Sequence, residues 1–231
     1  MDQADVELPF IEITSRIEPF DIVEAAYLSS MVYNDFAEGS IHILATNVVA
    51  TSFEGHLAAY YNGHYFLAPD NGVLSLIFGE SFNDYYLIPT DRYEQKIQKV
   101  YLPFIEKLLK SNSLDDVASK TDKYHTKTRI NPVMDGEELR GTVLFVDHFG
   151  NAYTNILKSD FDKFTNGRQY QINLARHSSV SRISENFAEV KEGDPLCYFS
   201  DHGYLVASIK KSSAEKLLNL RKYKPLIVQK K

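Results

Sequence analysis

Residues 131–231 alternate short segments rich in β-branched and aromatic residues with turn signals such as Asp135-Gly136. Short strands separated by such turns, with little helix between them, are typical of a small antiparallel barrel or sandwich. We expect one helix in this half, begun by a capping box of Ser212 and Glu215. The expected strands lie at 141–147, 152–156, 169–174, 196–199, 204–209 and 225–229.

Strand patterns also occur in the first half of the chain. Residues 7–13 and 40–49 are predicted strands, and a hairpin is predicted over 57–67. The hairpin turns at Asn62-Gly63, a dipeptide that readily adopts the positive φ angles of a tight turn.

Helix patterns separate these strands. Asp21, followed by Glu24 at capping-box spacing, predicts the start of a helix. Apolar residues at three- and four-residue spacing over 93–108 predict another, which starts or is kinked at Pro103. Strands that alternate with helices indicate an α/β layer with a largely parallel sheet. The predicted fold class is therefore α/β, with a mostly parallel N-terminal sheet and a small C-terminal antiparallel β-barrel.

Charge and composition indicate two domains, 1–130 and 131–231. Their net charges are −9 and +3, which give −6 for the whole chain, and the polar stretch 111–132 lies at the boundary. With 44% hydrophobic and 13% aromatic residues, global disorder is excluded. The absence of a basic field argues against nucleic-acid binding.

No run of about 18 apolar residues and no signal-peptide pattern are present, so we expect a cytoplasmic protein without a membrane partner. The single cysteine, Cys197, excludes an internal disulfide and is expected to be a small buried residue. The histidines show no spacing typical of a metal site.

The segment His148-Phe149-Gly150-Asn151 follows a predicted strand that ends in Asp147. One interpretation is a hairpin turn, since Gly and Asn dominate turns. The other is a ligand cradle, in which the Asp147 carboxylate accepts hydrogen bonds from an ammonium group. The Asn151 amide, a donor and an acceptor, would match an edge of adenine, and Phe149 would pack on the base.

Two further turns carry polar side chains. Pro69-Asp70-Asn71-Gly72 is interpreted as a turn. Asp201-His202-Gly203 lies between two predicted strands, where His202 is placed to contact an anion.

Four ordered stretches together resemble the S-adenosyl-L-methionine (SAM) hydroxide adenosyltransferase family, which includes fluorinases and chlorinases. Each string is weak alone, but the ordered set is specific and covers most of the chain. The stretches are IEITSRIEPFDIVEAAYLSS at 11–30, HYFLAPDNGVLSLIF at 64–78, GTVLFVDHFGNAYTNI at 141–156 and EGDPLCYFSDHGYLVASIKKSSAEKLL at 192–218.

The resemblance implies a homotrimer whose sites lie between the N-terminal domain of one subunit and the C-terminal domain of its neighbour. It implies that water attacks C5′ of SAM, giving adenosine and methionine, with SAM as substrate and neither metal nor resident cofactor. Carried over to this sequence, Asp147 would bind the methionine ammonium and Asn151 the adenine. Phe149 would wall the base, and Asp201 and His202 would contact the methionyl end.

The sequence also departs from the family pattern. The family's first strand, with Thr-Asp-Phe-Gly, has no counterpart here, so we expect either a truncated sequence or a lost element. Where the family has Asp, Arg and His for water, this sequence has Asn47, Glu54 or Gly55, and Lys96. Ile97 stands where fluorinases place a hydroxyl, so halogenation is not indicated either.

Two hypotheses therefore remain open. In the first, the chain is an enzyme that hydrolyses SAM, as the retained Asp147 and Asn151 suggest. In the second, it is a catalytically inert trimer that binds adenosine or serves a structural role, as Asn47 and Lys96 suggest. The sequence leaves the catalytic residues unassigned.

Overall fold

The computed structural model describes residues 9–46, 55–90, 96–175 and 177–231. Within the predicted strand at 7–13, residues 9–13 form no strand and are exposed, so that prediction is wrong where it can be compared. Residues 7 and 8 lie outside the described residues, as do 47–49 of the predicted strand at 40–49.

The first half of the chain forms one five-stranded sheet, in the order β1-β3-β2-β4-β5, with helices packed against it. Its elements are α1 (Ile22–Val32), β1 (Ile41–Ile43), β2 (His56–Tyr61), β3 (His64–Pro69), α2 (Val73–Phe78), β4 (Tyr85–Leu87), α3 (Ile97–Ser111) and β5 (Ser119–Thr121).

The α/β class is confirmed, but the strand directions differ from the expectation. Only β1 and β3 pair in parallel among the described strands, whereas β2–β3, β2–β4 and β4–β5 are antiparallel. The cause is partly local: the two-residue turn at Asn62 and Gly63, with φ of 47° and 84°, makes β2 and β3 antiparallel neighbours. The hairpin itself is therefore confirmed.

The two predicted helices of this half are present. Asp21 caps α1 by accepting a hydrogen bond from the Glu24 amide at 2.9 Å. The Glu24 carboxylate bonds to Lys222 of the second half of the chain. Helix α3 starts at Ile97 and continues through Pro103 rather than starting there. Its buried face holds Val100, Tyr101, Phe104, Ile105 and Leu108.

The second half forms an eight-stranded antiparallel sheet in the order β10-β9-β13-β7-β8-β12-β11, with β6 also paired to β7. Because the end strands β10 and β11 contact each other, the sheet is nearly closed, as expected for a barrel. Its elements are β6 (Val133–Asp135), β7 (Glu138–Val146), β8 (Ala152–Leu157), α4 (Lys158–Thr165), β9 (Tyr170–Ala175), β10 (Ser178–Val180), β11 (Pro195–Phe199), β12 (Tyr204–Ile209), α5 (Ala214–Leu218) and β13 (Pro225–Lys230).

Two details of this half correct the sequence-based prediction. Helix α4 was not expected, because only Phe161 and Phe164 supply its large apolar contacts to the core. Helix α5 is capped by Ser213, which accepts from the Lys216 amide, rather than by Ser212. Cys197, in contrast, is fully buried in the barrel core as predicted.

Helix α1 joins the two halves. The Tyr27 hydroxyl donates to the carbonyl oxygen of Thr154 at 2.9 Å, and its ring meets that of Tyr204. At the start of the helix, the Lys222 ammonium lies 2.7 Å from the Asp21 carboxylate, with both side chains largely buried. Burial alone would raise the pKa of Asp21, but the hydrogen bonds that its carboxylate accepts, above all from Lys222, lower it overall. Polar contacts of distant residues thus fix the barrel against the first half.

Two histidines meet in the core of the first half. His42 Nε2 lies 3.2 Å from His64 Nδ1, and both residues are buried. The His42 ring also stacks on Phe66, with ring centroids 4.9 Å apart. Burial, and secondarily the neighbouring His64, lowers the pKa of His42 from 6.5 to about 4.

We expect the free energy of unfolding to fall as the pH is lowered from 6.5 towards 4. In this range the unfolded chain protonates His42 and the folded chain does not, so acid favours unfolding by an amount on the order of 3 kcal/mol. His42→Phe, which keeps a ring against Phe66, should lose most of this pH dependence. Burial also lowers the pKa of His56, so a smaller pH dependence of the free energy of unfolding should remain in the variant. Urea denaturation at several pH values measures the slope, and equal slopes in both proteins would contradict this assignment.

Candidate functional site

The loop between β7 and β8 is organised by the Asp147 carboxylate. One oxygen accepts from the backbone amides of Phe149 and Asn151, each at 2.9 Å. The other accepts from the Asn151 side-chain amide at 2.8 Å. The predicted turn is therefore real, with Gly150 at φ 85°. The same contacts hold the Asn151 amide in one orientation.

A second contact fixes Asn151 from the neighbouring strand. Ser208 on β12 donates its hydroxyl to the Asn151 side-chain oxygen. A primary amide has two donors and two acceptor lone pairs, so one of each stays available. One donor and one acceptor are the pair that an adenine edge requires. The turn and the cradle interpretations are thus compatible in this loop.

The loop rests on the start of α5. The Gly150 carbonyl accepts from the Glu215 amide at 3.1 Å. A Cβ at Gly150 would lie 2.1 Å from the Ser213 hydroxyl oxygen. Only glycine allows this close approach at a positive φ.

Phe149 projects from the same loop. Its side chain is 67% exposed, and its ring lies against His148 with centroids 3.7 Å apart. An exposed aromatic ring can stack on a base, and an oriented amide beside it can bond to the edge of that base.

Asp201 and His202 lie away from this loop. They form the turn before β12, whose Tyr204 pairs with Leu157 at the far end of β8. Because Ala152 begins β8, the two predicted groups lie at opposite ends of the paired strands β8 and β12. His202 Nε2 is 3.0 Å from the Asp35 carboxylate. The anion beside this histidine is therefore an aspartate side chain of the same chain.

Two tyrosines that the sequence did not single out lie between the two groups. Tyr153 on β8 and Tyr198 on β11 both pair with Val206 of β12, and each phenol influences the pKa of the other. Burial raises the pKa of both, and the carboxylates of Asp147 and Asp201 raise it further. Both phenols are therefore neutral near pH 7, and two carboxylates act on one tyrosine pair. No sequence spacing marked these residues, since they become neighbours only through strand pairing.

Models of the SAM hydroxide adenosyltransferase N-terminal and C-terminal domains match residues 1–115 and 141–227. The chain belongs to this family. A curated relative, the (R)-S-adenosyl-L-methionine hydrolase of Methanocaldococcus jannaschii, is 23% identical over 91% of this chain and 79% of its own length.

Solved structures share the fold of this family member. An uncharacterized conserved protein from Thermotoga maritima aligns with a TM-score of 0.84, at 22% identity over 98% of this chain and 90% of that one. A conserved hypothetical protein from Thermus thermophilus aligns with a TM-score of 0.67, at 22% identity over 92% and 83% of the two chains.

The positions that depart from the SAM hydroxide adenosyltransferase pattern are only partly described. Asn47 and Glu54 lie outside the described residues. Gly55 directly precedes β2, and Lys96 directly precedes α3, whose first residue is Ile97. The structure therefore places Lys96 at the start of a helix.

Two features are absent from the described parts of the chain. Residues 9–46, 55–90, 96–175 and 177–231 contain no group of three or more His, Cys, Asp or Glu side chains placed to hold a metal ion. Nor is any helix in these ranges long and apolar enough to cross a membrane.

Proposed function

We propose that this chain binds SAM and hydrolyses it to adenosine and methionine, with the nucleoside held by the loop from Asp147 to Asn151. The observation that carries the proposal is the Asn151 amide, oriented by two partners with one donor and one acceptor left for adenine. Membership of the SAM hydroxide adenosyltransferase family and the distant SAM hydrolase relative support the same substrate.

Binding of the adenosine half follows from the loop. The Asn151 amide bonds to the base edge while the exposed Phe149 ring covers its face. Asp147 accepts three hydrogen bonds from the loop, and a carboxylate offers about four acceptor positions. One position remains for the ammonium of the substrate.

The cationic half of SAM faces the tyrosine pair. Tyr153 and Tyr198 supply aromatic surface between the carboxylates of Asp147 and Asp201. Aromatic rings and carboxylates both stabilise organic cations such as a sulfonium or an ammonium. The turn at Asp201 and His202 then contacts the methionyl end of the substrate.

The reaction itself needs little acid catalysis, because a sulfonium is already a good leaving group. A water oxygen attacks C5′, and the C5′–S bond breaks with its electron pair passing to the methionine sulfur. One proton of the water is released. The protein contributes by aligning water, C5′ and sulfur and by excluding competing solvent. No metal or resident cofactor enters this scheme.

We place the site in a homotrimer, with the second wall supplied by the N-terminal half of a neighbouring subunit. The exposed Phe149 supports this arrangement, because an isolated chain leaves the base-binding ring open to solvent. Sedimentation equilibrium should give a mass about three times 26.4 kDa. A monomeric mass would contradict the assembly.

An inert adenosine-binding or structural trimer is the second candidate. It is favoured by Asn47 and Lys96, which stand where the family pattern has Asp and His. Calorimetry separates the two forms of this candidate. Adenosine binding without SAM turnover would indicate a nucleoside-binding protein, and no binding would indicate a scaffold.

The test of hydrolysis is incubation of purified protein with SAM in water enriched in ¹⁸O. Chromatography should show adenosine and methionine, and mass spectrometry should find the label in the adenosine 5′-hydroxyl. That label distinguishes attack at C5′ from breakage elsewhere. Adenosine no higher than in a protein-free blank would contradict the proposal.

Replacing Asn151 with alanine should weaken adenosine binding by about 1–3 kcal/mol, because buried polar groups of the base lose their partners. Isothermal titration calorimetry measures the change. Asn83→Ala, at an exposed position on the first half, is the matched control and should bind like wild type. Unchanged affinity in Asn151→Ala would remove this residue from the site.

A further inference from the structure

A buried carboxylate and a half-exposed histidine meet at the turn before α2. Asp70 is 5% exposed, and one of its carboxylate oxygens accepts from the His125 backbone amide at 2.8 Å. The other lies 3.2 Å from Nδ1 of the His125 ring, whose side chain is 49% exposed. These two contacts fix both the position of His125 and the orientation of its imidazole.

This geometry also selects the tautomer of His125. A carboxylate only accepts hydrogen bonds, so Nδ1 carries the proton and Nε2 carries the lone pair. Within the described residues, no hydrogen bond occupies Nε2. An imidazole with a carboxylate behind Nδ1 and a free Nε2 is the arrangement that enzymes use for a general base.

An unsatisfied hydroxyl lies close to the pair. Tyr85 is 1% exposed, and its hydroxyl has no hydrogen-bond partner among the described residues. Its ring packs on Tyr124, the neighbour of His125, with centroids 4.3 Å apart. Burial raises the pKa of Tyr85, and the charges of Tyr124 and Asp70 raise it further. A buried hydroxyl of this kind indicates a polar atom from a water or a ligand.

The segment that carries His125 is held rigidly. The Lys127 amide donates to the Ser75 hydroxyl at 2.8 Å, and that hydroxyl donates to the Gly72 carbonyl at 2.8 Å. The turn beneath it is also fixed, since the Asn71 amide donates to the carbonyl of Thr46 at 2.9 Å. Thr46 directly precedes Asn47, the position that lacks the carboxylate of the family pattern.

Resting on the proposed hydrolysis, we propose that His125 is the catalytic base for the attacking water and that Asp70 is its positioning residue. As the water oxygen bonds to C5′, its proton passes to Nε2 of His125, and the C5′–S electron pair leaves with methionine sulfur. The imidazolium is stabilised by Asp70 and returns its proton to solvent through its exposed edge. This pair takes the place of the water-handling residues that the sequence lacks.

The test compares SAM turnover by wild type, His125→Gln and Asp70→Asn in the full chain. We expect kcat to fall by about a hundredfold or more in His125→Gln, with KM and adenosine affinity little changed. In Asp70→Asn, the new amide donates to Nδ1 and moves the ring proton to Nε2. We therefore expect at least a tenfold loss of kcat, and long-range ¹H–¹⁵N spectra should show the altered tautomer. His177→Gln, at an exposed histidine, is the matched control.

Two further readouts separate catalysis from folding. Thermal unfolding of each variant reports on structure, and added imidazole should restore part of the activity of His125→Ala because the site is half-exposed. If wild type turns over SAM and the kcat of His125→Gln lies within threefold of the wild-type value, this inference is overturned and the proposed function stands. If wild type shows no turnover above the blank, both the role of His125 and the proposed hydrolysis are overturned. The wild-type measurement alone distinguishes this outcome from the previous one.

Discussion

Replacing Asp147 with alanine is expected to lower the affinity for SAM at least about a thousandfold, because several charge-assisted hydrogen bonds disappear together. The carboxylate holds the Phe149 and Asn151 amides and orients the Asn151 side chain. In the proposed complex it also binds the substrate ammonium. The change therefore removes a direct contact and the shape of the adenine cradle at once.

Calorimetry with SAM and with adenosine measures both parts of this prediction. Adenosine affinity should also fall, since Asn151 loses its orientation even though adenosine has no ammonium. Asp135→Ala, at an exposed position on β6, is the matched control and should bind as wild type does. Affinity for SAM within threefold of wild type in Asp147→Ala would contradict the assignment.

Substituting Gly150 with alanine should destabilise the protein by about 2–5 kcal/mol through backbone strain and overpacking. The backbone has φ 85°, and the new Cβ would lie 2.6 Å from the Ser213 Cβ and 2.9 Å from its Cα. The loop cannot move away freely, because the Gly150 carbonyl bonds to the amide of Glu215. The displaced loop should also lose adenosine binding.

Gly193→Ala is the control for backbone strain alone. Gly193 has φ 83°, but nothing lies within 4 Å of an added Cβ there. It should cost only about 1 kcal/mol. Urea denaturation compares the two variants. Equal destabilisation would mean that the contact between Gly150 and Ser213 is not as close as the structure has it.

Local sequence signals predict structure well where contacts between near neighbours in the chain decide it. Asn62-Gly63 makes a tight turn wherever strands flank it, and Asp21 caps α1 through its own neighbour Glu24. The turn signal in the loop after Asp147 was likewise correct. Each of these features depends on residues within a few positions of one another.

Features that depend on distant residues could not be predicted in the same way. Helix–strand alternation suggested a parallel sheet, but the directions of β4 and β5 depend on where the chain returns after α2 and after α3. In the candidate site, the contact of Ser208 with Asn151 exists only because β12 pairs with β8. The same pairing places Asp201 and Asp147 at opposite ends of β8 and β12, an arrangement that sequence spacing does not reveal.

Resemblance supplied what local patterns did not, namely the nucleoside interpretation of the loop. The structure adds the reason that the interpretation is chemically sound: both fixed partners of Asn151 leave one donor and one acceptor for the base. It also adds the Asp70–His125 pair, which the sequence presented only as a turn and an isolated histidine. Sequence spacing gave no signal for that pair, because 55 positions separate its members.

A crystal structure of the protein with adenosine tests the central claim most directly. We expect the adenine edge to be hydrogen-bonded to the Asn151 amide, the Phe149 ring to lie against the base, and a neighbouring subunit to close the site. Adenosine bound elsewhere, or this loop facing bulk solvent far from any other chain, would contradict it.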